Sequence, residues 1–168
     1  MDKRWIYIII ILIIGISALY AIASSSYTIG RATVDVNTFV ITLPDSFHID
    51  DTDKYYASLI DRETNEKLNV IDLDNADSID DLIQEEYKDC KKDKSLKIEN
   101  ETTSYDNITI KTIYVISDDG VINSSSYFMK FNHTFNIEAS NFKDKDSIEN
   151  NIKFIIESLA KDYKQKQD

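Results

Sequence analysis

Cysteine, proline, glycine, histidine and positive charge are all scarce in this 168-residue chain, and each scarcity closes off a kind of chemistry. Cys90 is the single cysteine, so no disulfide can form within the chain and stability must come from packing. Glycine occurs only as Gly15, Gly30 and Gly120. Loops that cradle phosphate or dinucleotides need glycine for close backbone approach, and with no Gly-x-Ser-x-Gly elbow either, those fingerprints are excluded. His48 and His133 stand far apart, without Cys, Asp or Glu at the spacing a zinc site requires. Lys plus Arg number 19 against 30 Asp plus Glu, a net charge of −11. A surface of that sign repels phosphate, so nucleic acid is not an expected partner.

The longest hydrophobic run lies at the start. After Asp2-Lys3-Arg4, residues Trp5 to Ala23 carry no charged side chain. At ~1.5 Å per residue a helix of this length spans roughly 28 Å, close to the ~30 Å hydrocarbon core of a bilayer. Residues 1–23 therefore read as a single-pass membrane anchor, with the lipid bilayer as partner through residues 5–23. The positive-inside tendency keeps Lys3 and Arg4 cytoplasmic and sends the acidic domain out. Ala21-Ile22-Ala23 also fits a signal-peptidase site, which gives a secreted alternative. Residues 24–31 form a short linker and 32–168 one extracytoplasmic domain. Asn100, Asn107, Asn123 and Asn132 begin Asn-x-Ser/Thr triplets and can accept glycans where that machinery exists.

Within the domain, near alternation from Val34 to Leu43 with a shift at Asn37-Thr38 predicts a hairpin or bulged strand stopped by Pro44-Asp45. Strands follow at Lys54 to Asp61 and Lys67 to Asp74. Ile79, Leu82, Ile83, Tyr87 and Cys90 fall at helical spacing, so a helix runs from Ser78 to near Asp93, with Ser78 and Asp81 resembling a capping box. Four strands come next: Ser95 to Glu101, Asn107 to Ser117, Val121 to Phe131 and His133 to Asn141. The second is apolar on both faces and is expected at the centre of the sheet. In the last, Phe135, Ile137 and Ala139 alternate with Thr134, Asn136, Glu138 and Ser140, which predicts one wet face. A final helix from Lys145 to Lys164 carries the stripe Ile148, Ile152, Ile155, Ile156, Leu159 and Tyr163, with Lys161, Lys164 and Lys166 at its negative pole.

This order of elements resembles the PsbP-like fold family, shared by oxygen-evolving photosystem subunits and Ran-binding nuclear-import regulators. The resemblance spans Val34 to Leu159 and rests on Leu43-Pro44-Asp45-Ser46-Phe47, on Tyr127-Phe128 and on Ile155-Ile156-Glu157-Ser158. It implies an α+β domain, an antiparallel sheet packed by two helices, in a mostly non-catalytic family of binding and accessory proteins, here as a prokaryotic membrane-anchored relative. It carries over no site residue.

Candidate chemistry is thin. Asp72, Asp74, Asp77, Asp80 and Asp81 form the densest acidic cluster, but Ala76, Asp77 and Ile83 stand where an EF-hand needs a ligand, a glycine and a bidentate Glu. A solvated loop feeding a helix N-terminus is the simpler reading, and Asp45, Asp50, Asp51 and Asp53 read the same way. Cys90 lies on the apolar helix face, as a packed hydrophobe rather than a nucleophile. Tyr55, Tyr56, Tyr105 and Tyr127 are the places to seek a tyrosine-lined binding surface. No residue is assigned as catalytic, cofactor-binding or metal-ligating. The expected function is a non-catalytic binding or accessory domain acting on an unidentified envelope or membrane-protein partner. The alternatives are a hydrolase using the paired carboxylates Asp72 and Asp74, and a structural subunit acting through its membrane helix.

Overall fold

A computed structural model of the chain describes residues 32–74 and 78–161. The expected anchor 1–23, the linker 24–31, Asp77, Tyr163, Lys164 and Lys166 lie outside them. Among the described residues no helix is long and apolar enough to cross a membrane.

The alternation at the start folds as a hairpin, β1 (Thr33–Val36) and β2 (Phe39–Thr42), with Val36 opposite Phe39. Val34, Val36, Phe39 and Ile41 point one way and are buried. Pro44 then stops the strand, and Ser46 takes a left-handed φ of 71°. That corner is held by buried Asp61, which accepts from Ser46 Oγ at 2.5 Å and from the Glu63 and Thr64 backbone. These bonds to Ser46 and Glu63 hold the Asp61 carboxyl below its ordinary pKa against the opposing effect of burial.

Two meanders make the main sheet. The first is β3 (Phe47–Asp53), β4 (Tyr56–Asp61) and β5 (Lys67–Asp72); the second is β6 (Lys97–Tyr105), β7 (Ile108–Ile116), β8 (Ile122–Lys130) and β9 (His133–Phe142). Helix α1 (Ile79–Cys90) joins them, and β9 returns to pair with β5, giving the order β3-β4-β5-β9-β8-β7-β6, antiparallel throughout. Helix α2 (Lys145–Ser158) follows with β10 (Ala160–Lys161), which adds to β2 and completes a separate three-stranded sheet.

Several expectations change. Strand β3 was not foreseen, because only Phe47 of its residues is buried. As an edge strand it needs no alternating apolar face, and its exposed acids suit an unpaired edge. Strand β7 is second from the edge rather than central, and its second apolar face is covered by α1. Strand β6 runs on to Tyr105 because Asp106 and Asn107 both take positive φ, 46° and 61°, and turn the chain in two residues. Phe131 and Asn132 do the same between β8 and β9, as two-residue hairpins of right-handed twist require. Helix α1 stops at Cys90, and the Ser78 hydroxyl caps it by accepting from the Asp80 backbone.

The last helix is shorter than its pattern. It ends at Ser158, and Leu159 turns extended so that Ala160 can pair with Val40. Ser158 Oγ, which accepts from the Thr42 N–H at 3.1 Å, ties that end to β2. The side chains of Lys161, Lys164 and Lys166 lie outside the described ones; among the described side chains Lys130 of β8 donates to the carbonyls of Ile156 and Leu159, the latter at 3.0 Å. At the other end, Asp144 caps α2, Lys145 pairs with Glu99 of β6, and the same ammonium lies 4.4 Å from the centre of the Tyr114 ring. Between these clamps Ile148, Ile152, Ile155 and Ile156 are fully buried. At about 1.5–3 kcal/mol for each buried aliphatic side chain, that stripe is the main attraction holding the helix to the sheet. The inner face it joins is made of Ala57, Leu59, Leu68, Val70, Phe128, Phe135 and Ile137.

Two outcomes follow from the clamps. Lys130→Met leaves the carbonyl end of α2 without its cation and should cost about 1–2 kcal/mol in urea unfolding. Glu99, bonded to Lys145 and then to Lys97, is lowered from 4.5 to about 2. Its contribution is therefore complete above pH 4.5 and is lost as the pH falls toward 2. Thermal unfolding midpoints should fall less steeply across that window in Glu99→Gln than in the unmodified protein, and equal slopes would contradict the clamp.

Candidate functional site

Alternation sends every second residue of the sheet away from the core. On β4, β5, β9 and β8 these outward residues include the polar Tyr56 and Ser58, Asn69, Asn136 and Glu138, Ser125 and Tyr127, with the apolar Ile60, Ile71 and Met129 among them. Strand register sets them side by side, with Asn69 opposite Glu138, Asn136 opposite Tyr127 and Ser125 opposite Glu138. Helix α1 packs on β7 and β8, and beside it this row continues across the outer face.

The row is bonded in two groups. In one, Ser58 Oγ donates to Asn69 Oδ1 at 2.9 Å, Tyr56 OH reaches the same oxygen at 3.3 Å, and Asn69 Nδ2 donates to Glu138 Oε2 at 3.1 Å. In the other, Glu86 of α1 accepts from both Ser125 Oγ and Tyr127 OH, the latter at 2.8 Å. Burial first, then the bond to Glu86, pushes the Tyr127 phenol well above its ordinary pKa, so it stays a donor. A shallow pocket of about 220 Å³ opens between Glu86 and Glu138, with Val115, Asn123, Ser125 and Ser140 on its walls. Asn136 is 4% exposed and lies against the Tyr127 hydroxyl, and its Oδ1 has no hydrogen-bond donor.

The acidic residues picked out by their density are used differently. Asp72 is buried at the end of β5, where its carboxylate accepts from the Asp74 N–H at 2.8 Å and meets His133 Nδ1 at 3.0 Å. Asp74 is exposed, with its carboxylate 3.8 Å from the same nitrogen. The structure thus brings His133 to the two carboxylates, which the sequence separation concealed, but gives Asp72 a closed structural position. Asp80 pairs with Lys111 of β7, and Asp50 with Lys67 at 3.2 Å. Asp51 and Asp53 accept from the backbone of the residue that follows each. Among the described residues no group of three or more His, Cys, Asp or Glu side chains is arranged to hold a metal.

His48 and Tyr55 are exposed, and Tyr105 OH donates to Glu157 of α2. Cys90 is half-buried rather than packed in the core, and burial followed by repulsion from Glu86 and Asp89 raises its thiol pKa, away from nucleophilic behaviour. Asn100, Asn107, Asn123 and Asn132 are all exposed. Of the tyrosines singled out, Tyr56 and Tyr127 belong to the polar row. Glu86, Asn69, Ser125 and Asn136 were not identified as site residues. The polar alternation of β9 is the one sequence signal that pointed to this face, but the face is not wet along its length: Thr134 and Asn136 are buried and Glu138 is exposed.

No protein-family model matches the chain, and no curated protein matches it. Among solved structures it is similar to the cyanobacterial PsbP protein (CyanoP) of Synechocystis, at 16% sequence identity and a TM-score of 0.51, covering 82% of this chain and 98% of that one. At this identity the likeness concerns architecture alone, and it agrees with the antiparallel sheet, the two helices and their order along the chain. The described domain has the PsbP-like fold.

Proposed function

We propose that this chain is a single-pass membrane protein whose PsbP-like domain lies outside the cytoplasm and works as a non-catalytic binding or accessory domain for an envelope or membrane-protein partner. The observation that carries this reading is the polar outer face: a pre-bonded row of hydroxyls, amides and carboxylates around a shallow pocket, built on rigid strands. Such a face offers contacts without a deep cleft, which suits recognition rather than chemistry on an enclosed substrate. The carboxylates of the hydrolase alternative support it further, since Asp72 is buried against His133 and the Asp74 backbone. The uncharged run Trp5 to Ala23 with Lys3 and Arg4 before it supports the anchor and its orientation.

Two measurements test this. A tag placed after Asp168 should be removed by protease added to intact cells, and protection until lysis would remove the outward placement. A photo-crosslinking residue at Asn123, beside the pocket, should give a discrete adduct in native membranes, whereas one at the exposed Glu63 turn should not. Equal adducts from both positions, or none from either, would count against the outer face as the binding surface.

A further inference from the structure

The two edges of the seven-stranded sheet are protected unequally. Strand β3 is broken by a bulge between Ile49 and Asp51 and carries Asp50, Asp51 and Asp53, the usual defences of an exposed edge. Strand β6, at the other edge, keeps one register with β7 over all nine residues, with no bulge and no proline. None of its residues is buried, and Thr102 to Tyr105 carry no charge. In a two-residue hairpin the closing pair, here Tyr105 and Ile108, exchanges hydrogen bonds, and bonded and non-bonded pairs alternate from there. Ile98, Asn100, Thr102 and Ser104 therefore turn their backbone N–H and C=O groups away from β7, to the open side. Among the described residues nothing bonds those groups.

We propose that β6 is a strand-addition site, which takes an extended segment of a partner protein antiparallel to itself, with a basic side chain opposite Glu101. Main-chain bonds to the open groups supply affinity, and alternate side chains supply selectivity. The charges choose the occupant. Glu99 is already paired with Lys145 and Lys97, whereas Glu101 is exposed and has no ion pair among the described residues. Opposite charges directly across a strand pair are favourable there, and like charges are not. A second copy of this chain pairing along the whole of β6 sets Glu101 opposite its own mate, and brings together two chains that each carry a net charge of −11. A cationic strand meets neither penalty, and the net charge draws it in from a distance. This surface is separate from the outer face proposed above and depends on neither its pocket nor the membrane anchor.

The test uses the full chain, isotope-labelled in nonionic micelles and followed by amide NMR. The probe is a capped nonapeptide alternating threonine and valine with lysine at its centre, titrated to millimolar concentration. Two controls match it: one with its valines N-methylated, which removes the donors that face β6 and keeps the charge, and one with glutamate at the centre. The first peptide should give saturable shifts and slowed exchange at Ile98, Asn100, Thr102 and Ser104, and the N-methylated one should not bind. The glutamate peptide should bind about fivefold more weakly. Thr102→Pro removes one open donor where an edge strand tolerates proline, and should weaken binding about fivefold with the dispersed spectrum retained. No saturable shift, equal binding of the N-methylated peptide, or unchanged affinity in Thr102→Pro overturns the proposal. So does a dimer in which the open β6 amides are already protected without peptide, which assigns the edge to a second copy. Where Thr102→Pro disturbs the strand, the N-methylated peptide decides by itself.

Discussion

The pairing of β9 with β5 is the constraint on which the rest of the molecule depends. It joins two meanders that are separately local and sets Leu68 opposite Ala139 and Val70 opposite Ile137. Because successive side chains alternate, a slip of one residue would drive Asn136 and Glu138 into the core and expel Phe135 and Ile137 to solvent. The buried aromatics resist that slip: Phe135 stacks on Phe128 of β8 and meets Phe39 of the small sheet edge-on. The dry inner face and the polar outer face are thus two consequences of a single register.

Helix α2 is the lid on that inner face, and its placement shows how a chain without disulfides fixes an element. Four isoleucines supply the attraction, which has little direction of its own. Direction comes from the polar ends: Lys145 on Glu99 and Tyr114 at one, Lys130 on the helix carbonyls at the other. Lys130 gives up hydration to reach those carbonyls, and its pKa is lowered by that burial. The bond to the helix end offsets part of this cost.

On the outer face the same economy works in reverse. The side chains there are largely satisfied by one another, so the row is held in one arrangement by its own hydrogen bonds. Glu86 links α1 to β8 through Ser125 and Tyr127, so a carboxylate that fixes the helix also forms one wall of the pocket.

Local pattern was enough to read the α+β class, both helices, the hairpin at the start and the polar side of β9, because each rests on periodicity within a few residues. The apolar run Trp5 to Ala23 is legible in the same way, from length and lack of charge alone. Three things were not legible. Strand β3 depends on an edge position, α2 stops early because Ala160 finds Val40, and β7 lies second from the edge with its second apolar face covered by α1. Nor did spacing reveal that His133 would meet Asp72, which waits on the return of β9 to β5, or that Glu86 would face Glu138 across a pocket, which waits on α1 packing against β8 beside β9. A sequence states which face of a strand is polar; which polar groups share that face is decided by long-range pairing.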